Sequence, residues 1–177
     1  MEDIAKEEQV VLVDENCTEL GLMGKLEAHQ KGVLHKAISI IIFNSNGDML
    51  VQQRAFSKYH WAGIWSNTCC SHPRAGESFE DAAQRRLFEE LGFRTHLKPE
   101  FSFIYKAYDT DSGLTEHEYD WVFTGVYDDE FEFNPEEIHE VRWLDRHTLL
   151  KSIQEEPDQW SFWFKIILRE MEKRQLY

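Results

Sequence analysis

The chain has 177 residues, 42% of them apolar or aromatic, and a formal charge of −14. That is enough apolar side chain to bury a core and too much for a disordered chain. So acidic a chain is not expected to bind nucleic acid, which needs a basic face to displace counterions, or an anionic membrane. A small anionic ligand stays open if cations line a cleft locally. Cys17, Cys69 and Cys70 are odd in number and two are adjacent, so a disulfide framework is not expected and a reducing, cytoplasmic setting is. The opening MEDIAKEEQV is too acidic for a signal or transit peptide. No apolar run nears the ~20 residues that span a bilayer.

Residues 10–13 form a short predicted strand ended by Asp14, Glu15 and Asn16. Residues 25–32 are polar, a loop or a single helical turn; they carry Lys25 and His29, with His35 just beyond. The β-branched run AISIIIF over 37–43 lacks helical period and predicts a buried strand. Asn46-Gly47 signals a two-residue hairpin, with the chain returning antiparallel over 49–53. Residues 54–66 are a loop rich in Trp, Gly and charge, and 68–70 a short extended edge leading to His72-Pro73.

The clearest element is a helix over 78–91. Ser78 can cap it, Glu80 and Asp81 lie in its first turn, and Gly92 ends it. At 100° per residue, Phe79, Ala83, Leu87 and Leu91 form one apolar stripe. Arg86 and Glu90 then face the protein body, while Arg85 and Glu89 face solvent. Strands are predicted over 95–97, 101–108, 115–127 and 141–144, with a turn over 109–113. Helices are predicted over 146–155 and 161–175, flanking Pro157. In the 115–127 strand, His117, Tyr119, Trp121 and Phe123 share one face and Glu116, Glu118 and Asp120 the other. Three acids on one strand face need water or a cation. No repeat or linker divides the chain, so residues 1–177 are expected to form a single domain.

Three constellations carry chemistry. His29, His35, His72, Glu116 and Glu118 form a mixed nitrogen and oxygen set, suited to a divalent Mn, Zn, Fe or Mg ion rather than a thiolate site. Glu116 and Glu118 share a strand face, but only the fold can bring the histidines to them. Any single His is more often a surface residue than a ligand, and His117 points the other way. Arg86 with Glu90 is either an ordinary i,i+4 pair or a Mg²⁺ ligand beside a phosphate-binding guanidinium. Lys25, Arg54 and Lys58 add nearby cations that suit a diphosphate. A Cys is by default a small buried hydrophobe; Cys70, two before His72, is the one placed to give or return a proton from an un-ionised thiol.

Gly76-Glu77 and the run RRLFEELGF over 85–93 resemble the Nudix box, G-x5-E-x7-R-E-U-x-E-E-x-G-U with U a bulky apolar residue. Two positions depart: Ser71 stands for the opening Gly, and Arg86 for the Glu that Nudix hydrolases use in holding Mg²⁺ around a diphosphate. A longer set of matches resembles the type I isopentenyl-diphosphate isomerases, a divergent branch of that fold. It comprises K-x3-H at Lys25 and His29, Leu34-His35, QRAFSK over 53–58, WAGIWSNTCCSHP over 61–73, GES over 76–78 and RRLFEELG. Y-x-A over 105–107, E-x-E over 116–118 and W-x-F-W over 160–163 complete it. Ala62 stands where relatives often carry Pro.

The resemblance implies an α+β, Nudix-like α/β/α sandwich with a mixed central sheet, an extra N-terminal segment and C-terminal helices. It implies the 1,3-allylic proton shift between isopentenyl and dimethylallyl diphosphate, through a carbocation-like state, in isoprenoid biosynthesis. One divalent metal (Mn²⁺, Mg²⁺ or Zn²⁺) is implied on His29, His35, His72, Glu116 and Glu118, and Mg²⁺ at Glu90 with the substrate diphosphate. Lys25, Arg54, Lys58 and Arg86 are implied to hold the diphosphate. Cys70 and Glu118 are the implied acid/base pair, Tyr105 supports proton delivery, and Trp163 lies over the reacting carbons. A cytoplasmic monomer with a small-molecule substrate, and neither nucleic acid nor membrane as partner, is expected. Two other readings compete: a Nudix hydrolase of a nucleoside diphosphate derivative, against which Arg86 counts, and a non-catalytic Nudix-like metabolite sensor, which would be expected to have lost reactive groups.

Overall fold

The computed structural model describes residues 8–177. The chain opens with β1 (Gln9–Val13) and β2 (Glu19–Gly24), an antiparallel pair. Next comes α1 (Lys25–Lys31), closed by Gly32 in the left-handed conformation. Residues 25–31 thus make a short helix rather than a loop or single turn. Its Ala28 and His29 are buried, and packing of this kind supports helices too short and polar to stand on propensity.

The hub is β3 (His35–Phe43), buried at all but its last residue. One of its edges runs parallel to β8 (Thr115–Val126). Its other edge meets β1, then β6 (Cys69–Ser71), then β4 (Met49–Arg54), all antiparallel. Outside these, β7 (Lys98–Tyr108) pairs antiparallel with β8. On the other side, β5 (Trp65–Ser66) and β9 (Ile138–Leu144) pair antiparallel with β4. The sheet is mixed, as expected.

Two predicted details change. Asn46-Gly47 sits in a five-residue loop over 44–48, since Phe43 pairs with Met49. There the Asn44 side chain accepts the Asn46 and Asp48 N–H groups, so an Asn-centred turn replaces the two-residue hairpin. Residues 95–97 are not a strand: Gln84 caps the Thr95 carbonyl and the Thr95 hydroxyl bonds Val126, so the ladder begins at Lys98.

Helix α2 (Phe79–Leu91) begins as predicted, with Ser78 accepting the Asp81 N–H at 3.0 Å. It ends at Gly92, φ 72°, where an added Cβ would lie 2.5 Å from the Glu132 carbonyl oxygen; conformation and space both require Gly there. The C-terminal part supplies α3 (Arg146–Glu155), a 3-10 turn at Pro157–Gln159, and α4 (Phe162–Lys173). Helices cover both faces of the sheet. Ile38, Ile40, Ile42 and Phe123 pack with Ala83, Leu87 and Leu91 of α2. Ile41, Met49, Val51 and Val122 pack with Leu149 of α3 and Trp163, Phe164 and Ile167 of α4. Each fully buried side chain of this size contributes about 1.5–3 kcal/mol relative to exposure. No helix among the described residues is long and apolar enough to cross a membrane.

Candidate active site

Strand register builds the centre of the site. His35 on β3 lies directly beside Glu118 on β8, and Glu118 directly beside Tyr105 on β7. One strand row therefore presents an imidazole, a carboxylate and a phenol. One edge along, Ser39 of β3 lies opposite Cys70 of β6. The period of two sends the adjacent cysteines to opposite faces: Cys69 joins the α2 core, and Cys70 packs on the α4 side.

The acids of β8 are buried. Glu116, Glu118 and Asp120 are 5%, 8% and 1% exposed, while His117, Tyr119 and Trp121 are half-buried. Burial removes bulk water as the acids' partner, so the groups packed around them must supply it. The histidines arrive from three elements: His29 on α1, His35 opening β3, and His72 just after β6. Donor atoms of His29, His35, His72, Glu116 and Glu118 all lie within 4.8 Å of one another. His72 Nε2 is 2.8 Å from Glu118 Oε1, and His35 Nε2 is 3.7 Å from the same oxygen. His29 Nε2 is 3.1 Å from Glu116 Oε2.

The cluster fits a divalent ion. His29 Nε2, His35 Nε2 and Glu116 Oε2 are buried without a hydrogen-bond partner, a costly state unless another group completes them. His35 Nδ1–H donates to the Val33 carbonyl at 2.8 Å, which turns the Nε2 lone pair inward as metal-binding histidines require. Burial raises the carboxylate pKa values, but the neighbouring imidazoles outweigh it and hold Glu116 well below the usual range and Glu118 below it. Burial pushes the His72 pKa down to about 4, leaving a neutral ring able to ligate. His117, by contrast, points out of the cluster and bonds the Gly32 carbonyl.

Tyr105 O–H donates to Glu118 Oε2 at 2.6 Å. Cys70 Sγ accepts Trp163 Nε1–H at 3.1 Å and donates to Asn67 Oδ1 at 3.0 Å. Burial, then the charge of Asp120, pushes the Cys70 thiol up to about 12. Cys70, Tyr105, Glu118 and Trp163 line one cavity.

The same cavity is lined by Lys25, Arg54, Lys58, Arg86 and Glu90. Arg86 Nη2 donates to Glu90, which is buried, and Nη1 donates to Glu89 at 2.8 Å. Lys58 pairs with Glu137, Lys25 with Glu8, and Arg54 donates to the Trp61 and His60 carbonyls. Arg85 and Glu89 are not simply solvated. Arg85 is held by Glu77 at 2.7 and 2.8 Å and reaches the His72 carbonyl at 3.3 Å. It is drawn in because the box Glu sits one helical turn before the helix proper, on Arg85's own side.

All the residues expected at the site are therefore gathered around one cavity or the His/Glu cluster beside it. Sequence reading missed Tyr59, His60, Asn67 and Glu137, which line the same cavity. His60 has the clearest role, with Nε2 2.7 Å from Glu116 Oε1. A signal existed in the adjacent Lys58, but a loop His without periodicity is not distinguishable from a surface one.

A NUDIX domain model matches residues 33–164. The fold resembles the crystal structure of DR0079 from Deinococcus radiodurans, with TM-score 0.69 and 22% identity over 84% of this chain and 90% of that one. It also resembles the MutT protein of Methanosarcina mazei, with TM-score 0.63 and 19% identity over 80% and 95%. In sequence, the chain is 50% identical over 159 residues to isopentenyl-diphosphate Delta-isomerase 1 of Aromatoleum aromaticum, covering 90% of this chain and 89% of that protein. It is 44% identical over 165 residues to isopentenyl-diphosphate Delta-isomerase of Serratia proteamaculans, covering 93% and 92%. With the Nudix helix capped by Ser78 and Gly92, and a buried His/Glu cluster beside Cys70, the chain belongs to the NUDIX family and, within it, to the isopentenyl-diphosphate Delta-isomerases.

Proposed function

We propose that the chain interconverts isopentenyl and dimethylallyl diphosphate, with the residue roles that follow. The observation that carries this reading is one cavity lined both by the cations Lys25, Arg54, Lys58 and Arg86 and by the Cys70 thiol, the Glu118 carboxylate and the Trp163 indole.

Lys25, Arg54, Lys58 and Arg86 hold the diphosphate, exchanging their present carboxylate and carbonyl partners for phosphate oxygens. Glu90 contributes to a Mg²⁺ site on the diphosphate. That remote clamp fixes the hydrocarbon between Cys70 and Glu118. One of the pair gives a proton to the terminal alkene carbon, leaving a tertiary cation at the branched carbon. The other removes a proton from the carbon nearer the diphosphate, and the double bond moves one position. The cavity's shape, not a change of oxidation state, selects the outcome. Trp163 faces the cationic carbon with its π surface. Tyr105 O–H orients the Glu118 carboxylate and lies on the path by which its proton returns. Trp61, packed edge-on against Trp163 at 5.6 Å, excludes water that would trap the cation as an alcohol.

His29, His35, His72, Glu116 and Glu118 hold a divalent metal, Mn²⁺, Mg²⁺ or Zn²⁺. When bound, the metal would supply positive charge that sets the proton affinity of Glu118. The chain works as a cytoplasmic monomeric single domain. The direct test is incubation with isopentenyl diphosphate, Mn²⁺ and Mg²⁺ in D₂O, with NMR of the products. Dimethylallyl diphosphate carrying deuterium in one methyl group is expected. Phosphate release from a nucleoside diphosphate derivative, without isomerisation, overturns the reading.

A further inference from the structure

We infer that Tyr59 and His60 are positioning residues of the metal centre, tying its His29–Glu116 half to the loop that carries the diphosphate-binding Lys58. This rests on the proposed metal centre and concerns residues outside its five ligands.

His60 is 7% exposed although it belongs to a surface loop. Its Nε2 lies 2.7 Å from Glu116 Oε1, while Glu116 Oε2 is buried and without a hydrogen-bond partner. One oxygen of the carboxylate is thus engaged from the loop and the other is left for the cluster. The division suits a ligand that must bind through one oxygen in a fixed orientation. His60 itself is outside the five-residue group whose donor atoms converge within 4.8 Å, so its place is behind Glu116. Tyr59 does the parallel task for His29. Its hydroxyl lies 3.3 Å from His29 Nδ1. With Nε2 turned to the cluster, Nδ1 carries the proton and donates to Tyr59. The Tyr59, His60 and His29 rings pack as a group, His60 lying 4.3 Å from Tyr59 and 5.0 Å from His29 between centroids.

The backbone supports the same conclusion independently. Trp61, immediately after the pair, has φ 51°, a left-handed conformation that a bulky residue adopts only when its surroundings impose it. Here they do. Arg54 donates to the His60 carbonyl at 3.3 Å and to the Trp61 carbonyl at 3.0 Å, and Asp109 accepts the Trp61 N–H at 3.2 Å. The strained step turns His60 towards Glu116 and Trp61 towards Trp163. Because Lys58 immediately precedes the pair and Arg54 holds the His60 carbonyl, a diphosphate that re-pairs these cations acts on the same loop that orients the metal ligands.

The test measures Mn²⁺ affinity by electron paramagnetic resonance of the free ion, alongside melting of the metal-free protein, for wild type, H60A, H60Q and Y59F. Removal of an outer partner of a metal ligand costs roughly 10–100-fold in metal affinity, and that loss is expected for H60A. H60Q, which can present an amide N–H to Glu116, is expected to recover most of it, and Y59F to lose less than H60A. The metal-free melting temperatures are expected to differ little among the four. Wild-type affinity in H60A overturns the inference, as does a loss that H60Q does not recover and that the metal-free stability mirrors, because that is the pattern of general loop damage. Failure of the wild type to take up stoichiometric Mn²⁺ overturns instead the metal centre on which the inference stands.

Discussion

Replacing Arg86 by Gln removes the guanidinium that bonds Glu90 and Glu89 and lies 3.4 Å from Glu137. The Glu90 side chain is 5% exposed and that of Arg86 15%, so solvent screens the pair little. Removing one partner of a buried ion pair costs about 3–5 kcal/mol, because the surviving charge keeps its desolvation penalty. Glu90 retains one donor, Gln52 Nε2 at 3.2 Å, which places the expected loss at the low end, about 3 kcal/mol. For a chain of this size each kcal/mol moves the melting point by roughly 2–4 °C, so R86Q is expected to melt about 6–12 °C below wild type. The double variant R86Q/E90Q leaves two neutral amides and is expected to recover about 2 kcal/mol of that loss. In activity, the lost charge lies at the diphosphate end, so KM for isopentenyl diphosphate rises while kcat changes little. Calorimetric melts in metal-saturating buffer, with steady-state kinetics on the same samples, read both effects. An R86Q protein that melts with wild type, or single-variant effects that simply add, would refute the buried-pair argument.

Three other expectations follow from the remaining contacts. C70A is expected to lower kcat by roughly 10²–10⁴, the usual contribution of a positioned general acid or base, with KM nearly unchanged; retention of wild-type kcat removes Cys70 from the chemistry. W163L is expected to lower kcat about 30-fold, the equivalent of ~2 kcal/mol of cation–π stabilisation, and W163F by less because it keeps an aromatic face; equal losses in both point to the indole N–H on Cys70 instead. Chelation is expected to lower the melting point: an ion at 100 times its dissociation constant stabilises by about 2.7 kcal/mol, which corresponds to roughly 5–11 °C here, and identical melts with and without chelator count against the metal centre.

The legible parts of the sequence were those whose local chemistry matches their final environment. Helix α2 was readable because Ser78, the apolar stripe and Gly92 all agree. The β8 alternation was readable too, though not which face would be buried. The aromatic side of β8 is the conventional core face, yet the acid side is buried because three histidines from distant segments converge on it. Helix α1 was missed because its stability comes from Ala28 and His29 packing rather than from propensity, and the 95–97 strand failed because side-chain bonds from Gln84 and Thr95 replace the ladder. Neither contact has a local sequence signal. His60 was invisible for a related reason: its orientation comes from a strained backbone step fixed by Arg54 and Asp109, which lie on either side of it in sequence and far apart from each other.

Why the same helix serves isomerisation rather than hydrolysis follows from how its acids are held. Hydrolysis of a diphosphate requires box carboxylates free to gather cations and activate water on phosphorus. Here Glu77 is bonded by Arg85 through two nitrogens, and Glu89 by both Arg85 and Arg86. A guanidinium stands where the box calls for a carboxylate, so that position carries a positive charge in place of a cation ligand. The Cys70 thiol, its pKa pushed up to about 12, lies in the same cavity with Trp163 Nε1–H bonded to its sulfur. That thiol is held in its protonated form and Glu118 is fixed by the His35–Glu118–Tyr105 row; under the proposed roles, a proton pair of that kind shifts a double bond and leaves the diphosphate whole.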